Sequence, residues 1–179
     1  MTTYAALLRG INLGSHAKIK MPALRQVFLD LGHADVQTYL QSGNVVFTSD
    51  DEDADTLATA IERRIKHDLD LTVPVLLRSQ AELAEVVANN PFLKQQADPA
   101  TLHVTFLADE PDRERVAGID PAFGEPDAFS IVGRELYLVC PSGYGRTKLN
   151  NNFFERRLKV GATTRNWKTV TKLHDLTSE

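Results

Sequence analysis

The chain has a single cysteine, Cys140, so no disulfide can form within it. Its five histidines are scattered without the close spacings that zinc sites use, and no bound metal or cofactor is expected. Nowhere does an apolar stretch approach the roughly 18 residues of a membrane span. The N-terminal MTTYAALLRG lacks a cationic start ahead of a long apolar run, so the expectation is an unsecreted, cytoplasmic protein with no membrane partner. Positive charge is not in excess either. Twenty Lys and Arg stand against 24 Asp and Glu, a net of −4, which argues against a general nucleic-acid coating role.

What is present is a sharp separation of charge. From Gly143 to Lys172 there are eight basic residues and one acidic residue, Glu155, which leaves −11 for the rest of the chain. Charge sorted in this way reports a local electrostatic task.

The 179 residues suffice for one average domain or two small ones, burying roughly 70% of the unfolded surface. Hydrophobic periodicity predicts their order. The apolar run Tyr4 to Leu8 reads as a buried strand. A loop from Arg9 to Lys20 leads to Met21-Pro22, which opens a helix bearing Leu24, Val27, Phe28 and Leu31 until Gly32. Strands at 36–40 and 45–48 flank a turn at Gln41-Ser42-Gly43-Asn44. Leu57, Ile61 and Ile65 mark a second helix, and Val73 to Leu77 a fourth strand. Residues 1–78 therefore read β-α-β-β-α-β, a split βαβ or ferredoxin-like half.

Residues 79–179 read as a degenerate repeat of it. Ser79 and Glu82 form a capping box, and Pro91 ends that helix. A strand at 102–107, a short helix at 111–117, a hairpin at 129–140 turning on Gly133-Arg134, and a helix at 149–158 follow. Thr163 or Thr164 caps a last helix, with Trp167, Val170 and Leu173 on one side and Arg165, Lys168 and Lys172 on the other. The expected architecture is thus α+β, two tandem ferredoxin-like halves packed as one body with an added C-terminal helix. The second half is read as β-α-β-β-α with one extra helix before and one after.

The segments LLRGINLG, KIKMPALR, TYLQSGNVVF and GYGRTKLNNNFFERRL followed by ATTRNWKTV resemble the successive blocks of an uncharacterised bacterial family, domain of unknown function 1697. The resemblance runs nearly end to end. It implies the same two-half α+β fold and no particular activity.

Candidate ligand-binding residues fall in two groups. Arg9, Asn12, Lys18 and Lys20 lie in the loop after the first strand, where many α/β proteins hold phosphate. The spacing of Gly10 and Gly14 fits neither a P-loop nor a dinucleotide fingerprint. Arg146 and Lys148 stand before a helix start with Thr147 as a candidate cap, and Arg156 shares a helix face with Leu149 and Phe153. Arg165, Asn166 and Trp167 combine a guanidinium, an amide and an indole, a set suited to a nucleobase or sugar and equally to a capped helix over a core.

The functional expectation is a small anionic ligand, phosphate-bearing or nucleotide-like, held between the first loop and the C-terminal basic helices. The alternative is a nucleic-acid or protein interaction module without catalysis, although the strand GNVVF lacks the pattern of an RNA-recognition motif. Asp51, Asp53, Asp55 and Glu62 have calcium-loop spacing, but Thr56 stands where that loop needs glycine, so the run is read as the acidic start of a helix. Cys140 is read as a small buried hydrophobe. No catalytic residue is nominated.

Overall fold

The computed structural model describes residues 1–179. Its first strand, β1 (Thr2–Leu8), is buried from Tyr4 onward, as its apolar run requires. α1 (Met21–Asp30), β2 (Ala34–Tyr39), β3 (Asn44–Ser49), α2 (Ala54–Leu69) and β4 (Val75–Ser79) follow. The strands lie in the order β2-β3-β1-β4 with every neighbouring pair antiparallel, the arrangement of a ferredoxin-like unit. Because successive side chains alternate between faces, Tyr4, Ala6 and Leu8 join Phe28, Ile61 and Ile65 of the helices in one core. Ala5, Leu7, Leu76 and Arg78 belong to the other face and are buried as well.

Local chemistry explains the boundaries. The Asp53 carboxylate accepts from the Asp55 amide at 3.1 Å and from the Thr56 hydroxyl at 2.6 Å, so the acidic run caps α2 and complements its dipole. Nowhere do three His, Cys, Asp or Glu side chains gather in a way that could hold a metal. In the β2–β3 turn the left-handed residues are Leu40 and Gly43. Asn44, expected to share in the turn, is instead the first residue of β3, and its buried amide donates to the Tyr39 carbonyl at 2.8 Å.

Next come α3 (Gln80–Ala88), α4 (Pro91–Lys94), β5 (Leu102–Leu107), α5 (Arg113–Ala117), β6 (Ala128–Val132), β7 (Glu135–Val139), α6 (Asn151–Leu158), β8 (Ala162–Asn166) and α7 (Trp167–Thr177). The capping box of α3 forms: Ser79 N–H donates to Glu82 Oε2 at 2.8 Å and Glu82 N–H to Ser79 Oγ at 3.3 Å. The second sheet has the order β6-β7-β5-β8, again all antiparallel. Leu107, Leu136, Leu138, Phe154 and Ala162 share the core beneath its helices.

Here the structure corrects the sequence reading. Residues 162–166 form a strand that completes the second β-α-β-β-α-β unit; neither Thr163 nor Thr164 starts a helix, and Arg165 lies on β8 instead of on the polar side of α7. The cap of α7 is Asn166, whose Oδ1 accepts from the Thr169 amide at 2.8 Å. Cα packing groups Met1–Ala84 with Leu173–Glu179 in one compact unit and Glu85–Lys172 in the other. No helix is long and apolar enough to cross a membrane.

Candidate functional site

The loop joining β1 to α1 is built on left-handed residues, Gly10, Asn12, Gly14 and Ala17. Asn12 organises it. Its Oδ1 accepts from the Ile19 amide at 2.9 Å, while Nδ2 donates to the carbonyls of Ile19 at 3.1 Å and Gln41 at 2.8 Å. Both hydrogens of that amide are therefore committed, one within the loop and one to the β2–β3 turn. Arg9 is half-buried, and Lys18 and Lys20 are exposed without an ion pair.

Lys20 is the N-cap residue of α1, and its side chain, a donor only, cannot cap the helix. Pro22 has no N–H, and the first helical bond runs from the Leu24 amide to the Lys20 carbonyl. The amides of Met21 and Ala23 are thus left at an uncapped helix start with two lysines at hand. Each of the other six α-helices has a side-chain cap: Asp53, Ser79, Asn90, Asp112, Asn150 and Asn166. The contrast with α5, the equivalent helix of the second unit, is direct. There Asp112 caps and Glu114 occupies the first turn, the arrangement that the helix dipole favours.

In the second unit, residues 144–146 form a 3-10 turn, and Arg146 and Lys148 are exposed without ion pairs. Thr147, the expected cap, is buried and accepts from the Leu149 amide at 3.1 Å; α6 is capped by Asn150, which accepts from Phe153 N–H at 3.0 Å. Arg156 lies in solvent with its Nε donating to the Asn152 carbonyl at 3.3 Å. It is Arg157 that spreads over the Phe153 ring, at 5.5 Å.

Beside this turn lies a polar cluster that sequence reasoning missed, because its members come from four elements. The Thr164 hydroxyl donates to Asn151 Oδ1 at 2.6 Å and accepts from Tyr144 at 3.2 Å. Since its one proton is used, the Thr105 hydroxyl at 2.7 Å is the donor to it. Thr164 is saturated, which makes it a joint between β5, β8 and α6 and leaves it no lone pair or proton for chemistry. Tyr144 also stacks on His103, with ring centroids 5.0 Å apart, and burial pushes the His103 pKa down.

Arg165, 7% exposed, donates to Thr163 Oγ1 at 2.8 Å and to the Thr164 carbonyl at 2.9 Å. Burial lowers its pKa to about 10. Asn166 Oδ1 caps α7, and Trp167 is buried. All three residues thus have structural tasks in β8 or at the start of α7. Cys140 is fully buried, and burial, reinforced by the Asp127 carboxylate, pushes its thiol up to about 11, far from the thiolate that nucleophilic chemistry needs.

No curated protein matches the sequence. Among solved structures, the conserved bacterial protein SP0830 from Streptococcus pneumoniae is similar, with a TM-score of 0.77 at 24% identity over 98% of each chain, a likeness of fold. The family model described as "Protein of unknown function (DUF1697)" matches residues 1–137, and the chain belongs to that family.

Proposed function

We propose that the protein binds a small phosphate-bearing anion at the start of α1. The observation that carries this reading is that the one α-helix without a side-chain cap is the one preceded by two unpaired lysines. Cations at a helix start oppose the dipole by about 0.3–1 kcal/mol each, and unpaired amides there add to the field. A bound phosphate oxygen would answer both: the amides of Met21 and Ala23 donate to it, and Lys18 and Lys20 neutralise it.

Arg146 and Lys148 are a second unpaired group, suited to further contacts with the same class of ligand. The paired basic residues of the first unit behave differently. Arg64 bonds to Asp30 and Asp68, and Lys66 to Asp70, so those charges are already answered within the fold.

Titration calorimetry with inorganic phosphate and with nucleoside mono-, di- and triphosphates tests the proposal. Binding should weaken roughly tenfold for Lys18→Ala or Lys20→Ala, a loss of about 1.4 kcal/mol, with a shallow dependence on salt. A steep, multi-phosphate salt slope with single-stranded nucleic acid and no affinity for phosphate would favour the nucleic-acid module instead.

A further inference from the structure

Of the four exposed large apolar side chains, two lie together: Leu13, 66% exposed, and Leu40, 50% exposed. Leu13 stands near the tip of a small hairpin within the β1–α1 loop. It bridges to His16 across Gly14-Ser15, and Asn12 N–H donates to the Ala17 carbonyl at 3.1 Å. Leu40 opens the β2–β3 turn. The Asn12 amide joins the two loops through the Gln41 carbonyl at 2.8 Å, so each leucine is one residue from an end of that bond. Buried Ile11 packs so closely on Gly43 that a Cβ there would lie 2.5 Å from its Cδ1. The two leucines are thus held together at one end of the first unit.

Leu40 is costly where it stands. Its φ of +62 is left-handed backbone, which Gly, Asn and Asp adopt with less strain than Leu, and its exposure returns little burial. A residue that neither the backbone nor the core asks for points to a surface that it meets. The charge around the pair has one sign. Residues 9–20 contain Arg9, Lys18 and Lys20 and no Asp or Glu, and residues 36–48 contain no charged residue. The Arg9 amide bonds to the Pro74 carbonyl, which brings the chain after α2 to the same end. The carboxylates there are already engaged: Asp68 with Arg64, Asp70 with Lys66, and Glu62 with the Val75 amide. Exposed Lys18 and Lys20, which have no ion pair, are left to set the local field.

We propose that this end of the first unit is a peripheral membrane contact, at which Leu13 and Leu40 enter the headgroup–acyl boundary of an anionic bilayer and Lys18 and Lys20 lie on its phosphates. Such a contact is reversible and needs no spanning segment. The form of the patch favours a lipid surface over a peptide. A peptide is taken up in a groove or along a sheet edge, whereas Leu13 stands on a projecting hairpin and enters a fluid phase without a matching shape. The basic charge selects an anionic headgroup over a neutral one. The contact shares Lys18 and Lys20 with the anion site at α1 but needs neither of its helix amides, and Leu13 and Leu40 belong to it alone.

Co-sedimentation of the full chain with vesicles of phosphatidylcholine containing one quarter phosphatidylglycerol, beside vesicles of pure phosphatidylcholine, tests the proposal. The wild type should partition about tenfold or more strongly onto the anionic vesicles, since each lysine near such a surface contributes roughly fivefold, and added salt should weaken it. The double variant Leu13→Ser, Leu40→Ser should lose about tenfold or more of that binding, while its Tm and its response to free phosphate stay those of the wild type. Leu13→Trp should report insertion by a blue shift of emission on anionic vesicles, over the constant signal of buried Trp167. Vesicle binding without a response to free phosphate would uphold the membrane contact and count against the helix-start site alone. A wild type that binds neither kind of vesicle, or both alike, would overturn the contact and leave the leucines to a protein partner, whatever its response to phosphate. So would a double variant that binds as the wild type does, or a Leu13→Trp emission that does not shift.

Discussion

The Arg165 guanidinium donates to the hydroxyl of Thr163, two residues back on the same strand, at 2.8 Å. That bond lies on the buried face of β8 and gives the arginine a structural task. Its counterpart in the first sheet is Arg78, 1% exposed, which sits opposite Ala5 as Arg165 sits opposite Val104. In both strands the next residue, Ser79 or Asn166, caps a following helix.

Arg165→Ala should therefore act on stability and not on ligand affinity. Hydrogen bonds to a charged donor are worth about 1.5–3 kcal/mol, and truncation also leaves a void. A loss of about 2 kcal/mol or more is expected, roughly 4–8 °C in Tm. Thermal melts check it, and phosphate affinity measured below the transition should be unchanged.

Stability should fall on mild acidification. Burial pushes the pKa of both His33 and His103 below the ordinary histidine value, so the unfolded chain takes up these protons first as the pH drops. The folded state then loses stability from about pH 6.5 downward. Melts between pH 7.5 and 5.5 should show this slope, and the double variant His33→Gln, His103→Gln should flatten it. An unaltered slope in the double variant would place the effect elsewhere.

Gly43→Ala should destabilise the first unit. The residue is left-handed at φ +87, and an added Cβ would lie 2.5 Å from Ile11 Cδ1 and 3.0 Å from Leu8 Cβ. Strain and overpacking together should cost about 1–3 kcal/mol, read as a lower denaturation midpoint with an unchanged m-value.

The legibility of the fold followed the apolar pattern. β1, α1, α2 and the β6–β7 hairpin were readable because their buried faces are lined by Leu, Ile, Val and Phe at strand or helix spacing. β8 was not. Its buried residues include Thr163 and Arg165, joined by a hydrogen bond, so no apolar alternation marks the strand; a Thr-Thr-Arg-Asn run otherwise reads as a helix start. Arg78 was hidden because its buried guanidinium, which donates to the Leu77 carbonyl, lies outside any apolar pattern.

At the candidate site, Lys18, Lys20, Arg146 and Lys148 stood out by charge alone, and the structure leaves all four exposed. What the sequence could not show is where side-chain amides are spent. Asn12, expected at a ligand, holds a loop, and of the two readings open for Asn166 the helix cap forms. The Thr105–Thr164–Asn151–Tyr144 cluster joins positions up to 59 residues apart, and no local pattern marks it.

The anion proposal makes Lys20 a residue that the free fold would be better without. Its N-cap backbone is extended, the conformation in which aspartate caps by accepting from the third amide of the helix, here that of Ala23. In phosphate-free buffer Lys20→Asp should raise Tm by about 2–4 °C, corresponding to roughly 1 kcal/mol. Millimolar phosphate should then stabilise the wild type and leave the variant unmoved, since a carboxylate already occupies the helix start. A wild type whose Tm does not respond to phosphate or nucleotides, or a Lys20→Asp variant that responds as the wild type does, would contradict an anion site at α1.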